Sequence, residues 1–389
     1  MKFPILAIIF LFAFNCHAKK TDSTESDSTD GSTESPSTSS ISLANIKKSL
    51  KLTNKDETYL KNTFDISTME LIEPKSESDI AQQKFCIVKS QLKDKTDSVR
   101  IKISKPSGVK TWYNPDQERS FCVSDLKPEQ SNNKLIPIEY HVSKEFQNKP
   151  RISKFYTEQS QVVPLKNQNG FVILTSQNYV NSESLLEWYN SKKDSLELKE
   201  LEKNLKMFFS QMHAALTSLL DKKFLYTDFK PENIIVNKNN KKGSAFLINL
   251  NSVVSLGKAN KLEKICVITP EFFPPVQGVT DSNKLAVGYV KTEGAKSINR
   301  MLSWQFCMAI FSLVCKEFDE KKSQFKDRVI FDKWKNENAS LNKYFKCPSS
   351  KISTSLNDLF DNCLYKKSNH KSLITFEKII EHEWFENKN

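Results

Sequence analysis

The sequence predicts an α+β fold in which strands precede helices. Short runs of β-branched and aromatic residues gather between residues 100 and 175. A long amphipathic stripe begins at Asp194, and a nearly uninterrupted apolar run follows Ser303. In order, residues 100–103, 109–113 and 120–124 read as three strands and 137–148 as a helix. Residues 155–156 and 171–175 read as two more strands, the last leading into a connection near Thr175 to Tyr179. Ser184 with Glu187 forms a capping box ahead of a short helix. In the helix begun at Asp194, Leu198, Leu201, Leu205, Phe208, Met212, Leu216 and Leu219 recur every three or four positions, so that face packs on a core.

The N-terminus reads as a targeting segment, residues 1–18. Lys2 precedes an apolar run over 3–14, and Cys16-His17-Ala18 offers a small residue at the expected cut. Such a run is shorter than the roughly 20 residues that span a bilayer, so no membrane span is expected and the protein should be secreted or lie in the secretory lumen. Residues 19–45 are Ser, Thr, Asp and Glu with few apolar side chains, too little to offset ordering entropy, and read as a disordered segment. Residues 46–99 read as an N-terminal extension without evident chemistry. Asn338-Ala339-Ser340 is a glycosylation sequon.

The net charge of +12 could draw an anionic partner. The lysines are dispersed beside Asn and Glu rather than gathered in a block, so no nucleic-acid partner is expected. Removing residues 1–18 leaves seven cysteines: Cys86, Cys122, Cys266, Cys307, Cys315, Cys347 and Cys363. An odd number cannot all pair within one chain, and none shows the C-x-x-C spacing of a zinc site. One or two disulfides are expected, with a connectivity that spacing does not reveal.

Tyr226-Thr227-Asp228-Phe229-Lys230-Pro231-Glu232-Asn233 carries the chemistry. It resembles the H-R-D-x-K-P-x-N catalytic loop of eukaryotic Ser/Thr protein kinases. Thr269-Pro270-Glu271-Phe272 resembles the end of that family's activation segment, and residues 374–385 resemble its closing helix. The resemblance implies a two-lobed protein-kinase-like domain over residues 100–389. A small, mainly β N-lobe would cover about 100–175 and a larger, mainly α C-lobe about 180–389.

It further implies that Asp228 is the catalytic base, Lys230 a phosphate-contacting cation and Asn233 a metal ligand. The other metal ligand should be the Asp of a D-F-G, but Asn249 stands there, and no Asp occurs between Asp228 and Asp281. The glycine-rich loop should fall at Lys105-Pro106-Ser107-Gly108-Val109, where Gly108 is the sole glycine between Gly31 and Gly170. Ser124 takes the position of the strand lysine that contacts nucleotide phosphates, with Lys89 as an alternative. Glu139, or less well Glu145, is its helix partner. Tyr226 and Thr227 replace the His and Arg, and Leu302 replaces the Asp of the central helix. Leu373 replaces an Arg whose partner position, in Phe273-Pro274-Pro275-Val276, is also apolar.

These losses predict a secreted pseudokinase that binds another protein and needs no cofactor. The alternatives are a divergent active Ser/Thr kinase, which would use ATP and magnesium, and an extracellular structural or matrix protein.

Overall fold

In the computed structural model the described residues are 41–386, apart from 75–78, 81–83, 94, 127–134, 148, 166, 168, 180, 238–242, 275–285, 288, 291–296, 316–317, 320–323, 326–346, 348–351 and 366–373. The targeting segment, almost all of the Ser/Thr-rich segment, Asn338, Leu373, Pro275 and Val276 lie outside them.

Two helices come first. α1 (Leu43–Leu50) is capped by Ser42, whose hydroxyl accepts from Asn45 N–H, and α2 (Asn54–Thr63) opens on a Thr53/Asp56 capping box. They lead into β1 (Phe64–Glu73), β2 (Phe85–Leu92) and β3 (Ser98–Ser104), which pair antiparallel in sequence order. Residues 46–99, expected as an extension, therefore supply the first two strands of the small lobe's sheet, which reaches back well before residue 100. Alternation along β3 assigns its two faces. Val99, Ile101 and Ile103 are fully buried against Ile46, Leu50 and Leu60 of the two helices. Burying each such side chain contributes about 1.5–3 kcal/mol. Arg100 and Lys102 point to the opposite side.

A second, three-stranded sheet interrupts the lobe. β4 (Thr111–Asn114), β5 (Arg119–Cys122) and β6 (Ile136–Pro137) are ordered β5-β4-β6. Of the three strands expected over 100–124, only the first belongs to the main sheet. The other two form this insertion, because their partners are each other and β6. From β6 the chain enters α3 (Ile138–Glu145), within the span expected for it. β7 (Val172–Gln177) then closes the main sheet beside β3, pairing Lys102 with Leu174 and Arg100 with Ser176.

The large lobe begins with β8 (Ser182–Ser184) and α4 (Leu185–Lys192), whose Ser184/Glu187 capping box forms as expected. α5 (Leu198–Asp221) buries Leu201, Leu205, Phe208, Met212, Leu216 and Leu219, while Leu198 stays exposed in the first turn. β9 (Phe224–Tyr226), β10 (Ile234–Asn237), β11 (Ala245–Leu247) and β12 (Val253–Ser255) follow, pairing as β9 with β12 and β10 with β8 and β11. The apolar helix α6 (Ser297–Val314) runs through the core, and α7 (Thr354–Phe360) packs near its C-terminal half. Buried Glu202 on α5 ties in the chain's closing segment. It accepts from Ser353 N at 2.7 Å, Ser353 Oγ at 2.7 Å and Trp384 Nε1 at 3.1 Å.

Three disulfides join Cys122 to Cys266, Cys307 to Cys363 and Cys315 to Cys347, one more than the upper expectation, leaving Cys86 free and buried. Among the described residues no helix is long and apolar enough to cross a membrane.

Candidate functional site

The cleft side of β3 carries the first correction. Lys102 Nζ donates to Glu139 Oε2 on α3 at 2.7 Å, with the Lys side chain about one-fifth exposed and the Glu nearly buried. The strand lysine is therefore Lys102. Ser124 lies exposed in a turn of the insertion, hydrogen-bonded to Asp125. Lys89 pairs instead with Glu70 across β1 and β2 at 3.4 Å, and Glu145 is exposed. Glu139 is the helix residue that pairs with Lys102. A readable signal existed: Val99-Arg100-Ile101-Lys102 matches the family's V-A-I-K at three of four positions.

The expected glycine-rich slot is displaced too. Residues 105–109 follow β3 and lead into the insertion. Residues 74–84 connect β1 to β2, and the sequence there has no glycine. Backbone amides closing over phosphates need residues without a Cβ, and residues 74–84 supply none.

The loop after β9 brings Asp228, Lys230 and Asn233 together. Asp228 is buried; its Oδ2 lies 3.3 Å from Asn233 Nδ2 and 3.8 Å from Lys230 Nζ. Its Oδ1 has no hydrogen-bond partner. Lys230 Nζ donates to Thr269 Oγ1 at 2.9 Å, joining the loop to the Thr-Pro-Glu-Phe segment. Asn233 Nδ2 donates to the Asp228 carbonyl at 2.8 Å, which fixes the loop's turn.

The replaced residues have acquired other work. The Tyr226 hydroxyl donates to the Ile248 carbonyl at 2.8 Å, and complete burial pushes its pKa well above the ordinary phenol value. Thr227 Oγ1 sits 2.6 Å from the Ser252 carbonyl and 2.7 Å from that of Val267, bridging the two arms of the segment between them. On α6 the contact to the loop comes from Gln305, whose Nε2 donates to the Thr227 carbonyl at 2.7 Å, rather than from Leu302.

Asn249 adopts the left-handed region, φ 61° and ψ 53°, which Asn tolerates better than most residues. Its Nδ2 donates to Asn233 Oδ1 at 3.2 Å. The two positions where the resemblance implies metal ligands thus present neutral amides satisfied by each other. Magnesium is held through carboxylates together with substrate phosphates. Among the described residues the carboxylate hydrogen-bonded to this pair is that of Asp228, 3.3 Å from Asn233 Nδ2, so two amides and one carboxylate fit the ion poorly. Among the described residues no group of three or more His, Cys, Asp or Glu side chains could hold a metal.

The family model for the protein kinase domain matches residues 105–385. The chain belongs to the protein kinase domain family. Among solved structures it is similar to the Cydia pomonella granulovirus kinase PK-1, with a TM-score of 0.53 and 16% identity over 86% of this chain and 99% of that one. At that identity the likeness concerns the fold. No curated protein matches the chain. In this kinase domain the acceptor side, Asp228 with Lys230 and Thr269, is complete, and the Lys102–Glu139 pair is closed. At the positions where the resemblance implies metal ligands, Asn249 donates to Asn233.

Proposed function

We propose that this kinase-fold protein is a pseudokinase that binds a segment of another protein along its acceptor side, beside Asp228, Lys230 and Thr269, without transferring phosphate. The mutual hydrogen bond of Asn249 and Asn233 carries this reading. Phosphoryl transfer depends on metal ions neutralising charge on the phosphates, and two neutral amides supply no charge to hold them. The lack of glycine in residues 74–84, between β1 and β2, supports it further. We place the protein in the secretory lumen or outside the cell, a reading supported by the targeting segment and by three disulfides, which persist in oxidising compartments.

Thermal unfolding with ATP, Mg²⁺ and Mn²⁺ tests the proposal. A ligand that binds the folded state raises its apparent stability, and no metal-dependent rise is expected. A second reading, a divergent active kinase using ATP and magnesium, is favoured by the unpartnered Oδ1 of Asp228 and the closed Lys102–Glu139 pair. Phosphate transfer to protein that disappears in Asp228→Asn would establish it and overturn the first.

A further inference from the structure

We propose that the insertion between β3 and α3 is a covalent clamp that holds the segment 249–270 and helix α3 in their closed arrangement, in place of phosphorylation. In kinases that are switched, phosphorylation of this segment governs whether the strand Lys and helix Glu meet. Here Thr227 stands where a cation would grip a phosphate, yet Lys102 and Glu139 are in contact at 2.7 Å. Something else holds them.

The contacts run in an unbroken series. At the segment, Cys266 is bonded to Cys122 at the end of β5. Buried Thr111 on β4 donates to the Asn251 carbonyl at 2.8 Å. Ser255 N donates to buried Ser120 Oγ at 2.8 Å, and Ser255 Oγ donates to the Glu118 carbonyl at 2.7 Å. Arg119 pairs with Glu263 at 3.0 Å and Lys264 with Asp125; these are exposed pairs that add orientation more than stability. From the insertion the series continues into α3. Trp112 and Tyr113 of β4 pair with Pro137 and Ile136 of β6, and the next residue opens the helix. The Tyr113 ring stacks on His141 of α3 at 4.2 Å. Glu139 lies on that same helix, two residues from His141.

Each link alone is an ordinary packing contact. Together they make the segment and α3 attachments of one small sheet, and the disulfide closes a loop of 144 residues in sequence separation. Packed side chains, hydrogen bonds and rigid elements are the media through which coupling travels, and this small sheet supplies all three between the segment and α3. The clamp acts whether or not the cleft transfers phosphate, so its failure and that of the pseudokinase reading are separate results.

Hydrogen exchange on the full chain tests the clamp, preceded by alkylation mapping of thiols. Cys122 and Cys266 should resist alkylation until reduced; free thiols at both positions in the native protein would overturn the proposal. In the double variant Cys122→Ser/Cys266→Ser, amides of residues 250–269 and of α3 should exchange at least tenfold faster, with α5 unchanged. Cys315→Ser/Cys347→Ser should leave both regions as they were. Thr111→Val, which keeps the side chain's volume, should loosen the same two regions to a smaller extent and serves if the double variant does not fold. Phosphatase treatment should change nothing. Loosening of 250–269 with α3 unaffected would reduce the insertion to a local staple and refute the coupling, as would phosphatase-sensitive exchange in α3.

Discussion

Asn249→Asp should give the cleft a metal response that it otherwise lacks. A unit charge pair about 4 Å apart at an effective dielectric near 20 is worth roughly 4 kcal/mol, and a divalent ion about doubles it. If desolvation cancels two-thirds, about 3 kcal/mol remains, roughly a hundredfold in affinity. Without metal the variant should be slightly less stable than the parent. A carboxylate oxygen would face Asn233 Oδ1 where Asn249 Nδ2 now donates at 3.2 Å, and losing that bond costs about 1 kcal/mol. Thermal unfolding with ATP, with and without Mg²⁺, reads both effects. At ligand near a hundred times its Kd the gain is about 2.7 kcal/mol, several degrees in Tm. The reasoning fails if the parent shows the same metal-dependent rise, or if the variant shows none.

Lys102→Met should destabilise by about 2–3 kcal/mol, because it strands nearly buried Glu139, and adding Glu139→Gln should recover part of the loss in urea titrations. Glu202→Gln keeps the volume but leaves one of the three donors now served by a carboxylate poorly matched; it should cost about 1–3 kcal/mol, read by the same titration. His213 is buried, stacks on Phe376 and bonds its carbonyl, and burial lowers its pKa below the ordinary value of 6.5. Above pH 6.5 it is neutral folded and unfolded and adds no pH dependence. Below 6.5 the unfolded chain takes up a proton that the folded chain resists, so stability should decline until pH reaches the lowered folded value. His213→Phe should flatten that part of the profile in pH-dependent unfolding, whatever it does to stability at neutral pH.

What could be read from the sequence was mostly local. The loop after β9, the α4 capping box and the α5 stripe depend on residues within a few positions of each other; the capping box formed where expected, while the helix opens at Leu198 rather than Asp194 and its buried stripe begins at Leu201. Asn249 was found because one short strand delivers it. Lys102 was missed for a long-range reason: the insertion separates it from Glu139 by 37 residues. The strand carrying it also has Arg100 where the motif has a small residue. With that strand taken as the lobe's first, the next two candidates fell into the insertion and Ser124 inherited the lysine's role. The family match itself begins at residue 105, beyond all three opening strands. Pairing of the cysteines was equally opaque, since closure over separations of 144, 56 and 32 residues is decided by tertiary packing.

The pair of helices preceding β1 has a mechanical consequence. Through them the opening sheet becomes a partition between two apolar clusters, with Ile101 in one and Val172 and Leu174 of β7 in the other. Lys102 sits on that partition, one position from Ile101. The strand that packs on the outer helices through Ile101 is thus the same one that fixes where the Lys102 ammonium meets Glu139.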